Sequence, residues 1–242
     1  MRWIWSDGKR QVIDAGDTAA IVASTHLDPP VDRPRMVWGI GLNYRDHAAE
    51  TGAPLPPEPV VFVKPNGAVV GHGADIMIPP HVTQPDYEGE LAVVIGRRAR
   101  DIPEDEALEV VEGVTCAHDV SARDHQFTTG QWSWSKSFDT FCPLGPILVT
   151  PDELDLDHLD IETRVSGELL QSSNTEQLVF GIPKLIAHLS RGITLEPGDV
   201  IITGTPGGVG MARNPQRWLE DGDVVEITIS GIGTLRNRVI RR

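Results

Sequence analysis

Two glutamates two residues apart, Glu88 and Glu90 in the stretch DYEGELAVVIG, are the first residues here whose spacing suggests chemistry. Positions i and i+2 of a strand project from one face, so the two carboxylates are neighbours. Like charges at that range repel unless a cation lies between them. Otherwise the pair is a solvated strand end. A third carboxylate, Asp119, follows the apolar run GVTCA and precedes the polar string SARDHQ, where a strand would leave the core and enter a cleft. Three carboxylates, with no cysteine and no histidine pair at ligand spacing, make an all-oxygen set suited to a hard divalent ion, Mg2+ or Mn2+. Zinc ordinarily takes nitrogen or sulfur ligands, and calcium takes more oxygens from one loop.

Other groups could act beside such an ion. His47 and Glu50 lie at i and i+3 on the short segment after GLNYRD, one above the other on a helix face. A carboxylate beside an imidazole fixes its tautomer and raises its basicity, as a general base acting on water requires. A surface helix carrying one His and one Glu has the same spacing. Arg123 and Gln126 in SARDHQ and Lys136 in SWSKSFDTF are candidate donors for a developing oxyanion, or simple partners of Asp124 and Asp139. GDVIITGTPGGVG ends a strand in a Gly-rich loop with Thr203 and Thr205, but lacks the GK[ST] of a P-loop and the GxGxxG of a dinucleotide fold. It reads as a carboxylate-holding loop of backbone N–H groups and a threonine hydroxyl, or as a plain tight turn.

The elements that must position these groups are mostly strands. From Met36 onward MVWGIGL, PVVFVKP, ELAVVIG, GPILVT, DVIITG, DVVEITIS and TLRNRVI are short β-branched runs between Gly and Pro, the pattern of a many-stranded, mostly antiparallel β domain. Val225, Ile227 and Ile229 alternate with polar residues, and SGIG turns the chain into a final hairpin. Three segments read as helices. NYRDHAAETG starts after Asn43 and stops at Gly52; PEDEALEVVEGV has an acidic first turn with Leu108 and Val111 on one face; IPKLIAHLSRG carries Ile182, Leu185, Ile186 and Leu189 on one stripe and ends near Gly192. Residues 1–35 look separate: RWIW, SDGK and RQVI predict a hairpin, DTAAIVAST a capped helix, and DPPVDRPR a linker, leaving 36–242 as the main domain.

Composition narrows the function classes. The chain has 242 residues, 40% of them apolar, which is ample for a packed core. A net charge of −14 opposes binding to a phosphate backbone, so no nucleic-acid partner is expected. No apolar run approaches a membrane span, and MRWIWSDGKR lacks a secretory apolar stretch, so a cytoplasmic protein is expected. Cys116 and Cys142 form no CxxC and read as small core residues.

Taken in order, GLNYRDHAAETG, PVVFVKP, YEGELAVVIG, HDVSARDHQ, KSFDTFCPLGP and GDVIITGTPGGVG resemble the fumarylacetoacetate hydrolase family from about Met36 to the C-terminus. The resemblance implies an α+β, β-rich fold, a mixed β-roll or β-sandwich of that family's C-terminal-domain type with a few short helices, in a homodimer. It implies Mg2+ or Mn2+ on Glu88, Glu90 and Asp119, a catalytic pair His47 and Glu50, Lys136 as a further catalytic donor, and substrate contacts from Arg123, Gln126 and Thr205. Lys64 in VFVKP falls in a recurring family motif and has a cleft role at most. The implied activity is metal-dependent C–C bond hydrolysis of acylpyruvate-like or fumarylpyruvate-like diketo acids through a metal-stabilised enolate. The same site in the family also serves a 2-hydroxydienedioate isomerase or an oxaloacetate-type decarboxylase, and the presence of both His47 and Glu50 favours hydrolysis. Trp132 and Trp134 in DHQFTTGQWSWSK fall where a mobile lid is expected, either lining an apolar or aromatic substrate tail or packing the closed lid. His72, His81, His118 and His125 are read as structural or solvent-facing.

Overall fold

The computed structural model describes residues 1–14, 16, 26–31 and 33–241, so the helix expected over DTAAIVAST lies outside the described residues. β1 (Arg2–Ser6) and β2 (Lys9–Ile13) form the expected hairpin. Its two turn residues, Asp7 and Gly8, both take positive φ (52° and 69°), as a two-residue hairpin loop requires. Next come β3 (Val37–Gly41), helix α1 (Arg45–Thr51), β4 (Val60–Lys64), β5 (Val69–Val70), β6 (Asp75–Ile78), β7 (Pro85–Asp86), β8 (Gly89–Ile95), β9 (Val111–His118) and β10 (Ser121–Ala122). Helices α2 (Arg123–Thr129) and α3 (Trp132–Ser135) lead into β11 (Cys142–Val149), β12 (Asp160–Val165) and β13 (Glu168–Asn174). Helix α4 (Ile182–Ser190), β14 (Val200–Ile202), β15 (Val224–Ile229) and β16 (Gly233–Arg241) complete the chain.

Nine strands make one sheet, ordered β2-β1-β11-β9-β8-β14-β3-β4 with β5 also on β11, and five make a second, ordered β13-β12-β15-β16-β6. Pairing is mostly antiparallel; β14 with β3, β11 with β5 and β16 with β6 run parallel. The N-terminal hairpin, which its sequence sets apart, joins the large sheet through Arg2 opposite Val149 and Trp3 opposite Leu148. Between the sheets Leu91, Val93, Val114 and Cys116 meet Ile161, Ile227, Ile229 and Leu235. On the other face of β8, Ala92 and Val94 pack with Leu144, Leu148, Phe62 and Ile202. Strand β8 is therefore buried on both faces, which is why it reads as a nearly unbroken apolar run.

Two expected helices differ in detail. Glu104–Val110 is a 3-10 helix, and its three residues per turn bury Ala107 and Val110 while Leu108 stays exposed, in place of the α-helical stripe of Leu108 and Val111. Helix α1 ends at Gly52 in the left-handed conformation as expected, but Asn43 does not cap it. Buried Asn43 instead donates to the carbonyls of Phe180 and Thr203 and accepts from Phe180 N, tying three segments together. Helix α4 buries Ile182, Leu185, Ile186 and Leu189 as expected.

Candidate metal centre

The register of β8 against β9 builds the acidic cluster. Gly89 faces His118, and one step further Asp119 N donates to Glu88 O at 2.9 Å, so Asp119 stands opposite Glu88. Glu90 repeats the direction of Glu88 two residues on. Glu88, Glu90 and Asp119 each bring a carboxylate oxygen within 4.8 Å of the others, and all three are buried. The strand end is not solvated.

Three cations were packed against these acids. Lys136, just after α3, points its ammonium at Glu88 Oε2 (2.7 Å), Asp119 Oδ2 (2.5 Å) and Ser121 Oγ (2.7 Å), which uses all three N–H bonds. Lys64, fully buried at the end of β4, pairs with the other oxygen of Asp119 from behind and does not reach the cavity. Arg123 opens α2 and donates to Asp86 Oδ2 (2.8 Å), Glu88 Oε1 (2.5 Å) and Gln126 Oε1 (2.8 Å). The last bond fixes the Gln126 amide with its NH2 group available as a donor. Arg123 and Lys136 thus hold Glu88, rather than pairing with Asp124 and Asp139; Asp124 instead accepts from Thr83.

Asp86 belongs to the candidate site, although the sequence did not single it out. Fully buried, it accepts from Arg123, from Tyr87 N (2.9 Å), and from Gly210 N (2.7 Å) and Met211 N (3.1 Å) of the Gly-rich loop. The signal was present: Asp86, Glu88 and Glu90 continue one period of two.

The Gly-rich loop does not present its amides as a free cradle. Gly204 N donates to Glu90 Oε2 (2.6 Å), Gly207 N to Asp46 Oδ1 (3.2 Å) and Gly208 N to Glu50 Oε1 (2.8 Å), besides the two bonds to Asp86. Four of the protein's own carboxylates consume these donors. The Thr205 hydroxyl donates to Gly89 O (3.0 Å) and accepts from Gln171 Nε2 (2.8 Å), although Thr205 lines the cavity. On α1, His47 Nδ1 lies 3.3 Å from Glu50 Oε2. With Glu50 held by Gly208, the expected pair is assembled, and Nε2 is the imidazole nitrogen left for the cavity.

The cavity has a volume of about 170 Å3, and its polar floor carries Glu88, Glu90, Arg123, Gln126, Lys136 and Thr205 with His47 at one side. Trp132 forms a wall: its ring packs edge-on to Phe62, centroids 6.2 Å apart, and sits where a Cβ on Gly41 would fall 2.0 Å away. Trp134 points elsewhere, exposed and edge-on to Phe138. Both cysteines are buried and free, with burial pushing each thiol up to about 12, so neither offers a thiolate.

Charge and burial test whether a cation fits. Burial opposes the charged form of Glu88, but Lys136 and Arg123 outweigh it and hold this carboxyl below the usual range. Glu90 has no lysine or arginine bonded to it; burial, then Asp119 and Glu88, push its carboxyl well above the usual range. By formal charge Asp86, Glu88, Glu90 and Asp119 outnumber Lys64, Arg123 and Lys136 by one, and Glu90 is the acid without a lysine or arginine partner. A hard divalent cation fits that surplus and that donor set. The two lysines also change the charge expected of three carboxylates alone: with a divalent ion the cluster becomes net positive and attracts an anion.

The described residues contain no helix long and apolar enough to cross a membrane. The rat mitochondrial oxaloacetate tautomerase Fahd2a is 44% identical over 95% of this chain and 79% of its own length. A fumarylacetoacetate hydrolase from Exiguobacterium antarcticum superposes with a TM-score of 0.87 at 38% identity, each chain covered completely. A 5-carboxymethyl-2-hydroxymuconate delta-isomerase from Mycobacterium smegmatis superposes at 0.81 with 45% identity, over 90% of this chain and 82% of that one. Residues 36–240 match the family described as Fumarylacetoacetate (FAA) hydrolase C-terminal, and with the β-rich fold and the buried acidic trio in place, the chain belongs to the fumarylacetoacetate hydrolase family.

Proposed function

We propose that this protein is a divalent-metal-dependent enzyme that moves a proton at the carbon beside the carbonyl of a 2-oxo acid, as a tautomerase or double-bond isomerase. The observation that carries the reading is the trio Glu88, Glu90 and Asp119 beneath a cavity that His47 flanks. Glu88, Glu90 and Asp119 would hold Mg2+ or Mn2+, which when bound polarises the carbonyl and acidifies the adjacent C–H. His47, oriented by Glu50, takes the proton at Nε2 and returns it at the second position. The Gln126 NH2 group supplies a donor for the developing oxyanion, and Arg123 keeps that amide and Glu88 in place. The names of the rat tautomerase and the mycobacterial isomerase favour proton transfer over cleavage.

Hydrolysis of a diketo acid such as an acylpyruvate is the second reading. The assembled His47–Glu50 pair favours it, because that pair can equally activate water. Both readings take a small oxo acid and a homodimer as the working form. The deciding experiment follows ketonisation of enol-oxaloacetate by ultraviolet absorbance with and without Mg2+, beside product mass for an acylpyruvate. Metal-dependent ketonisation without fragments is expected, and His47→Ala should slow it by about 10²–10⁴-fold. Fragments of the acylpyruvate establish the second reading instead. Neither rate responding to Mg2+ or Mn2+ removes both.

A further inference from the structure

The two ends of the cavity differ in chemistry, and the difference points to the kind of substrate. The floor holds every charged group that faces it. The walls and mouth are made by Ile40, Leu42, Phe62, Phe127, Trp132 and Met211. Among the described residues lining the cavity, Arg123 and Lys136 are the cationic side chains, and both are bonded to buried carboxylates of the floor. The one wall hydroxyl, on Thr51, donates to His47 O at 2.9 Å. Phe127 at the mouth is 67% exposed, so a large apolar surface stands open beside the entrance. The Trp132 wall is built in: Gly41 leaves the space for the indole, and Phe62 supports it from the side.

Resting on the enzyme reading above, we propose that this site selects 2-oxo acids whose far end is uncharged and apolar or aromatic, and rejects those ending in a distal carboxylate. The oxo-acid head belongs on the floor, where Glu88, Glu90 and Asp119 converge to hold a cation and Gln126 offers its amide. A tail leaving that head runs between Trp132 and Phe127. Apolar carbon there gains from leaving water and from contact with the indole. A carboxylate there loses its hydration and meets no cationic partner, in a chain of net charge −14. Short acids that end within the floor do not reach this wall.

The test uses two diketo acids that share one head, benzoylpyruvate with a phenyl tail and fumarylpyruvate with a terminal carboxylate, on the Mn2+-loaded full chain. Deuterium exchange at C3, read by NMR, reports proton transfer whether or not cleavage follows. We expect a KM at least about tenfold lower for benzoylpyruvate, equivalent to about 1.4 kcal/mol. Phe127→Lys, which places an ammonium at an exposed position of the mouth, should narrow or reverse that ratio. Equal or tighter handling of fumarylpyruvate by the unaltered protein overturns the proposal while leaving the enzyme reading intact. A ratio unmoved in Phe127→Lys, with the variant folded by its melting transition, overturns the assignment of Phe127 to the tail's path. No exchange from either acid, with or without metal, instead removes the enzyme reading itself.

Discussion

At the scale of single residues, Glu90 is the carboxylate whose environment asks for an ion. Glu90→Gln should remove measurable Mn2+ binding by calorimetry or electron paramagnetic resonance. It should leave the metal-free melting temperature equal or higher, because an acid whose charged form is disfavoured by burial gives way to a neutral amide. The raised Glu90 carboxyl also sets a pH dependence. A carboxyl raised in the folded state contributes stability that is lost as pH rises through its folded value, and metal binding needs the ionised form. The rise in melting temperature given by Mg2+ should therefore grow from acid to neutral pH, and differential scanning fluorimetry across that range checks it. Asp86 acts one step behind the cluster. Asp86→Asn removes one of the two carboxylates that hold buried Arg123, so a loss of about 1–3 kcal/mol in denaturant unfolding is expected, together with weaker Mn2+ binding as Glu88 loses its fixed position. Residue types and spacing made Glu88, Glu90, Asp119, His47 and Glu50 legible in the sequence, because each follows a strand or helix period. Asp86 shares the period of Glu88 and Glu90, but that it and Lys64 brace the cluster depends on partners 37 and 55 residues away, which no local spacing shows.

At the scale of elements, strands announce themselves and short polar helices do not. The runs that became β3, β4, β8, β14, β15 and β16 were readable because β-branched residues recur between Gly and Pro. The segment SARDHQFTT carries no apolar stripe, so α2 was invisible, although its turn is what stacks Arg123 over Gln126. The loop from Gly204 to Met211 is legible only as a turn; that it gathers Asp46, Glu50, Asp86 and Glu90 depends on strands and a helix meeting there from across the chain. Its glycines are constrained by that task. A Cβ on Gly210 would lie 1.9 Å from Arg217 O and 2.5 Å from Asp86 Oδ1. Gly210→Ala should therefore push the loop off Asp86, with a loss of about 1–3 kcal/mol in thermal or denaturant unfolding, as overpacking typically costs, and a fall in Mn2+ affinity. Retained stability and affinity together would contradict this account of the loop.

Across the fold as a unit, β8 lies inside the nine-stranded sheet with one face against the five-stranded sheet and the other against a second apolar cluster, so the strand that carries Glu88 and Glu90 is buried on both faces. The N-terminal hairpin lies at the other side of the large sheet, joined to it through β1 and β11, with Trp3 in the secondary core. Trp3→Ala should cost about 3–5 kcal/mol of unfolding free energy, as large aromatic truncations do, without altering metal affinity. A parallel loss of both would mean that the hairpin and the site are coupled. Because an ammonium group already stands between two of the three acids, the cluster carries an internal cation that offsets part of its own repulsion. If the proposed metal dependence holds, scarcity of the ion would silence the chemistry while sparing the shape.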